Sequence, residues 1–334
     1  MTLVDSLYIN NSGGKVLLDY LVEKLEESGV NIFYLFDARC ANDFRYIPDN
    51  RKIFLKATLN SRRNFYKTHK AVFSKVLCFG NIPPPVRLKI PVYTYFHNVS
   101  LLHQPQNYSL KEKYLKKLKL FAIQFFNSTE NIFIVQSLTV QKLLAEKFKN
   151  NNILVLPFFR EKKSTERGVI KKSTSSFVYV SNGNTHKNHE KLLDAWELLA
   201  NNNLYPELHL TVTDNYEHLI DRISLLNGKG LNIINHGFCD PTKLYKSSKF
   251  LIYPSLTESF GLGLIEAIDY GCEVIASDLD YVYEICKPFS VFNPESSADI
   301  ARKVEYAISC TDNTYRTTPV IKNQIKEIIE LLKE

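Results

Sequence analysis

The sequence predicts an α/β protein made of two doubly wound, parallel-sheet domains. Three observations carry that expectation. Short apolar runs alternate with segments of helical period along the whole chain, as expected of parallel strands covered on both faces. The alternation restarts after Arg160–Ser176, a polar, charged stretch poor in apolar residues that reads as a connector. A length of 334 residues also exceeds what one core usually holds.

In chain order, the first domain is expected to carry strands at Leu7–Ile9, Ile32–Phe36, Ile53–Ala57, Val76–Phe79, Val92–Phe96, Ile132–Val135 and Ile153–Leu156. The second is expected to carry Phe177–Val180, Leu208–Val212, Asn232–Ile234, Phe250–Tyr253 and Val274–Ala276. The limits read as 1–160 for the first domain, 161–176 for the linker and 177–312 for the second domain. Residues 313–334 form a terminal segment with Ile321, Ile325, Ile328, Ile329 and Leu332 at helical spacing.

Charge is uneven. Residues 1–160 hold 23 Lys+Arg against 11 Asp+Glu, a net +12, while residues 161–334 hold 19 against 24, a net −5. The basic half is suited to an anionic partner: a phosphorylated acceptor, a membrane face or nucleic acid. No zinc-finger, RNP or helix-turn-helix pattern supports the nucleic-acid alternative. Six scattered cysteines form no C-x-x-C pair, so reduced, buried thiols are expected. Without a signal-peptide pattern or an 18-residue apolar run, the expectation is a cytoplasmic protein that meets membranes only at the surface.

One segment invites that surface contact. In Leu110–Phe126 the residues Leu110, Tyr114, Leu115, Leu118, Phe121, Ala122 and Phe125 fall on one helical face. Lys111, Lys113, Lys116, Lys117 and Lys119 lie off it. A basic amphipathic helix can rest on an anionic bilayer. The same pattern fits a helix whose apolar face is ordinary core and whose lysines face solvent. Arg62, Arg63, Lys67 and Lys70 add to this basic side.

The most informative stretch is 255–271, Ser-Leu-Thr-Glu-Ser-Phe-Gly-Leu-Gly-Leu-Ile-Glu-Ala-Ile-Asp-Tyr-Gly. It follows a strand stopped by Pro254 and runs through a glycine turn into an apolar helix. Glycines let backbone approach a ligand, and a new helix presents free N–H groups and a positive dipole end to an anion. Glu258 and Glu266 flank that turn eight positions apart, which suits a ligand with a phosphate in its middle and hydroxyls at both ends. An N-terminal helix charge and an exposed helix acid would give the same spacing.

Pro254, Ser255, Glu258, Phe260, Gly261, Glu266, Ala267 and Gly271 together resemble the E-x7-E signature of retaining glycosyltransferases of the GT-B fold, family 4. Gly263 stands where that family usually has proline. The resemblance implies GT-B architecture, two Rossmann-like doubly wound domains facing across a cleft, with a C-terminal helix crossing back onto the first domain. It implies sugar transfer from a nucleotide sugar, UDP- or GDP-linked, to a hydroxyl with retention, without a metal or other cofactor. Glu258 would hold donor-sugar hydroxyls, helped by backbone N–H groups of Ser259, Phe260, Gly261 and Leu262. Glu266 would accept the ribose hydroxyls.

Other segments extend the resemblance. Lys187 precedes a helix in a loop that resembles the family's diphosphate-binding loop, although Ser181–Asn184 lacks the arginine many members carry there. Gly13 and Gly14, in the loop expected at Asn10–Lys15, resemble the family's glycine turn at the diphosphate and acceptor; a plain strand–helix turn is the other reading. His97 ends a strand, and ligands in open α/β sheets bind beyond such ends. Family members often carry a donor-sugar histidine at a comparable place. His103 reads as loop. Gly237 and Phe238 resemble the loop whose backbone reads the base. Together these imply a transferase whose acceptor is a glycolipid or lipid-linked glycan in bacterial lipopolysaccharide or capsule assembly. A GT-B epimerase or a glycan phosphorylase remains the alternative.

Overall fold

The computed structural model describes residues 1–102, 110–128, 130–148, 152–161, 172–310 and 316–333. His103 and most of the expected linker lie outside them. The chain divides into two compact units, Met1–Arg160 with Lys322–Glu334, and Glu161–Ile321. Each is an open, parallel α/β sheet.

In the first unit the strands are β1 (Thr2–Asp5), β2 (Ile32–Asp37), β3 (Lys52–Leu55), β4 (Lys75–Cys78), β5 (Val92–Tyr95), β6 (Asn131–Val135) and β7 (Ile153–Val155). Their order in the sheet is β3-β2-β1-β4-β5-β6-β7, and every pairing is parallel. Helices α1 (Ser12–Ser28), α2 (Leu59–His69), α3 (Leu110–Phe126) and α4 (Leu138–Lys147) lie between strands. The strand order reverses between β1 and β4, so their carboxyl ends open the crevice where such sheets bind ligands.

The second unit repeats the plan with β8 (Ser173–Tyr179), β9 (Glu207–Leu210), β10 (Ile233–Asn235), β11 (Ser248–Tyr253), β12 (Glu273–Ser277), β13 (Cys286–Lys287), β14 (Ser290–Phe292) and β15 (Thr318–Pro319). The main sheet runs β10-β9-β8-β11-β12-β14, and β13 pairs with β15. Its helices are α5 (His189–Asn201), α6 (Glu217–Gly228), α7 (Thr242–Ser247), α8 (Leu262–Asp269), α9 (Asp280–Ile285) and α10 (Ser297–Ser309). Here the order reverses between β8 and β11.

Helix α11 (Ile325–Leu332) belongs to the first unit. It buries Ile325, Ile328 and Leu332 and packs against α1. Thr2 Oγ1 donates to the Leu332 carbonyl at 3.0 Å, and Gln324 N donates to the Pro157 carbonyl at 2.8 Å.

Several expectations are corrected. The first strand is Thr2–Asp5, not Leu7–Ile9. Leu7 and Ile9 are buried, but Ile9 N bonds the Ser6 carbonyl at 3.0 Å and Tyr8 sits at φ +101°. The segment is therefore a turn with apolar side chains. Asp5 causes this: its carboxylate accepts from Leu7 N at 3.2 Å and from buried Arg62 at 2.7 Å. Arg62 is thus a core residue, removed from the basic surface to which its charge had assigned it. Strand β8 begins at Ser173, so residues 173–176 of the expected linker are strand. Strands β13, β14 and β15 were too short for a periodicity to register.

Candidate active site

The second unit builds its site at the β8/β11 reversal. Pro254 ends β11, and Gly261 at φ +86° starts α8. That backbone conformation strains any side chain. Helix α8 has no side-chain cap and no acid in its first turn, so its dipole end is left for a ligand.

The loop after β8 is stitched to the loop after β11. Leu256 N donates to the His186 carbonyl at 2.8 Å. Asn188, at φ +61°, donates its amide to the Pro254 and Pro294 carbonyls at 3.1 and 2.7 Å. Tyr179 Oη donates to the Lys187 carbonyl at 2.9 Å and lies 2.8 Å from Ser255 Oγ. Tyr281 Oη donates to the Ser255 carbonyl at 2.8 Å. This stitching brings Lys187 Nζ to 2.6 Å from Glu258 Oε1, in a largely buried ion pair. Sequence spacing had treated the two as separate contacts.

Two further tyrosines, which motif reading missed, hold the acids from below. Tyr253 Oη donates to Glu258 Oε1 at 3.0 Å, and Tyr245 Oη donates to Glu266 Oε2 at 3.3 Å. Both rings are buried. Burial, followed by the neighbouring carboxylate charge, pushes both phenols well above their ordinary range, so both remain donors. A Cβ at Gly263 would come within 3.2 Å of the Tyr253 ring and 3.6 Å of Tyr245 Oη. The glycine that departs from the family pattern makes room for both. The signal available in sequence was tyrosine at the end of β11 and eight residues earlier.

The remaining candidates spread out. Phe260 is buried, so only its backbone is available to a ligand; Ser259 and Leu262 are half-buried. Gly237, at φ +60°, and Phe238, 95% exposed, follow β10, three places from β11 in the sheet. The expectation of a chain without an Asp-x-Asp motif is corrected by Asp278-Leu279-Asp280. Asp278 accepts from Tyr283 Oη at 2.6 Å, and Asp280 opens α9. Among the described residues no cluster of three or more His, Cys, Asp or Glu could hold a metal.

In the first unit, Gly13 and Gly14 lie in the first turn of α1 rather than in a loop. A Cβ on Gly14 would sit 3.2 Å from His97 Nε2, so the glycine permits that approach. Asn81 fixes the histidine: its Oδ1 accepts from His97 N at 2.7 Å, and its Nδ2 lies 3.4 Å from Nε2. Burial lowers the His97 pKa to about 4, which makes the ring neutral near pH 7. Its Nδ1 is buried without a partner among the described residues.

Helix α3 packs by a different face from the one expected. Ile123 is buried and Leu120 packs beside it. Tyr114, Leu115, Leu118, Phe121 and Phe125 are exposed, Phe125 by 70%. The face expected as apolar is therefore not core. Lys111, Lys113, Lys117 and Lys119 are exposed, and Lys116 is half-buried.

Residues 160–323 match the family model for glycosyl transferases group 1. The chain is 24% identical, over 92% of its length and 86% of the relative's, to the capsular polysaccharide biosynthesis glycosyltransferase CapH of Staphylococcus aureus. It superposes on sucrose-phosphate synthase of Thermosynechococcus elongatus with a TM-score of 0.73 at 16% identity, covering 99% of this chain and 94% of that one. HepE of Anabaena, solved with UDP and glucose, gives a TM-score of 0.68 at 14% identity, covering 100% and 96%. The architecture is GT-B.

Proposed function

Taking the matches to group 1 glycosyl transferases as the premise, we propose that this chain is a retaining, metal-independent glycosyltransferase. It moves a sugar from a nucleotide sugar to a hydroxyl on a glycolipid or lipid-linked glycan in bacterial surface polysaccharide assembly. The observation that carries this reading is the Lys187–Glu258 pair beside the uncapped start of α8, with Glu266 on the same helix.

The donor diphosphate lies at the α8 N-terminus and Lys187, which oppose the charge that grows as the sugar leaves. Glu258 accepts hydrogen bonds from donor-sugar hydroxyls, and Glu266 accepts them from the ribose. The bond from the anomeric carbon to the diphosphate oxygen breaks. The acceptor oxygen bonds the same carbon from the same face, and its proton passes to the departing phosphate. For the first unit, the family resemblance is what assigns the neutral His97 ring to a sugar and Gly13 and Gly14 to a diphosphate. Backbone at Gly237 and Phe238 meets the base. UDP in the HepE structure and the capsule role of CapH support a UDP donor and a surface glycan.

The test is a melting-temperature screen of UDP, GDP and their sugars, followed by Glu266→Ala. UDP is expected to stabilise the wild-type chain, and Glu266→Ala to lose most of that shift while keeping its fold. A chain indifferent to every nucleotide sinks the proposal. For the acceptor side, the exposed α3 face is proposed to rest on anionic lipid. Among the described residues no helix is long and apolar enough to cross a membrane. Co-sedimentation with phosphatidylglycerol vesicles should fall several-fold in Phe121→Ser/Phe125→Ser, since each lysine near such a surface adds only ~1 kcal/mol. Unchanged sedimentation would remove α3 from the contact.

A further inference from the structure

The β1/β4 reversal of the first unit opens into a cavity of about 400 Å³, within the ~300–1,000 Å³ of small-molecule sites. Five segments line it, among them α2 through Leu59 and the stretch after β5 through Asn98 and Leu101. Tyr8 and Ile9 come from the turn after β1, Asn81 and Ile82 from the turn after β4, and Lys119, Ala122 and Phe126 from α3. The lining is mostly apolar, with the amides of Asn81 and Asn98 and the ammonium of Lys119 among its polar groups. A bare sugar would leave many of its hydroxyls unpaired against such walls.

Both turns are held from beneath. Buried Arg62 donates to the Ile82 and Pro83 carbonyls at 2.9 Å each while its Nε holds Asp5 at 2.7 Å. The cavity is thus preformed, and Asn81, one of its walls, also grips His97. The same helix that closes the cavity turns its apolar and basic side outward.

We infer that this cavity is an acceptor subsite for an amphiphile: an apolar chain carrying a phosphate, the chain against Ile9, Ile82 and Phe126 and the phosphate at Lys119. The inference rests on the glycosyltransferase reading and adds the chemistry of the acceptor. It sets the phosphate of the acceptor at α3 and its apolar chain on walls that include the turn of Asn81, the residue that holds His97.

The test is calorimetric titration of the full chain with decyl phosphate below its micelle concentration. One saturable site is expected. Ala122→Trp and Ile82→Trp, which fill the cavity from opposite walls, should each weaken binding by about tenfold or more, the two variants together guarding against misfolding of either. Lys119→Gln should weaken decyl phosphate about tenfold, the loss of one charge-assisted hydrogen bond, while decanol binds both proteins alike. Phe125→Ser, on the outward face, should leave binding unchanged.

Absence of saturable binding overturns the inference, as does undiminished, wild-type binding by both tryptophan variants. Loss of binding in Phe125→Ser would assign the amphiphile to the helix surface, and displacement by millimolar glucose would make the cavity a sugar site; either also overturns it. The same samples are melted with UDP and GDP. A chain that binds nucleotide but not decyl phosphate loses only the cavity proposal. One that binds decyl phosphate but no nucleotide loses the reaction and keeps the cavity.

Discussion

The two units share one topology and use it for different chemistry. Each sheet reverses its strand order once, at β1/β4 and at β8/β11; Lys187 and Glu258 lie in the loops after β8 and β11, and Asn81 in the turn after β4. In the second unit the crevice holds a largely buried ion pair, Lys187–Glu258, whose acid accepts from Tyr253 Oη. In the first, the ion pair Arg62–Asp5 lies beneath the crevice, and the crevice itself is an apolar cavity beside a neutral histidine. Where the charge sits separates the two. A pair at the crevice can exchange its partner for a ligand's phosphate or hydroxyl; a pair beneath it can only fix loops. The topology places a site, and the side chains at two loops decide what it binds.

The sharpest way to break this comparison is Arg62→Met. If the buried pair is structural, leaving Asp5 without its counter-charge in the core should destabilise the protein by ~3–5 kcal/mol, read as a lowered urea midpoint. Lys187→Met should cost less stability, because its pair keeps some exposure to solvent that the Arg62–Asp5 pair lacks, and should instead abolish most turnover. Equal stability losses would erase the distinction.

A smaller effect is expected from the tyrosine supports. Tyr253→Phe removes one hydrogen bond to Glu258 and should lower kcat about tenfold with donor KM little changed, since a bond to a charged group contributes ~1.5–3 kcal/mol. Tyr245→Phe should instead raise donor KM, through Glu266. Gly263→Ala crowds both rings and should show both effects. If the two phenylalanine variants have the same kinetics, the acids do not divide the donor between them.

The smallest effect is on pH. Burial holds His97 in the first unit and His189 in the second at pKa values of about 4, below the ordinary 6.5. The unfolded chain therefore takes up these protons first as pH falls. Their stabilising contribution is complete above about 6.5 and is lost as pH drops toward 4, by up to ~1.4 kcal/mol per pH unit for each group. Urea midpoints at about pH 7 and about pH 5 should converge in His97→Asn and in His189→Asn. An unchanged pH slope in either variant would show that its histidine is not held neutral.

Legibility differed between the units for a physical reason. In the second, Glu258, Gly261 and Glu266 lie within one strand–turn–helix, so the backbone between them nearly sets their spacing and sequence could be read directly. In the first, Tyr8, Asn81, His97 and Lys119 come from four separate segments. Arg62 looked like a surface charge because nothing local marks an arginine that pairs with a residue 57 positions away. Gly13 and Gly14 were placed in a loop because two glycines read as a turn; they open α1 instead, and what Gly14 supplies is room for His97.

By itself, then, the sequence determined the alternation of strand and helix, the division near residue 160 and the acid–glycine–acid turn, because each depends on side-chain period or on neighbours within a few residues. Only the tertiary structure decided that Lys187 faces Glu258, that two tyrosines hold the acids, that the α3 aromatics face outward and that a cavity opens beside His97. Those outcomes depend on which distant segments a sheet brings side by side, and strand order leaves no local mark on the chain.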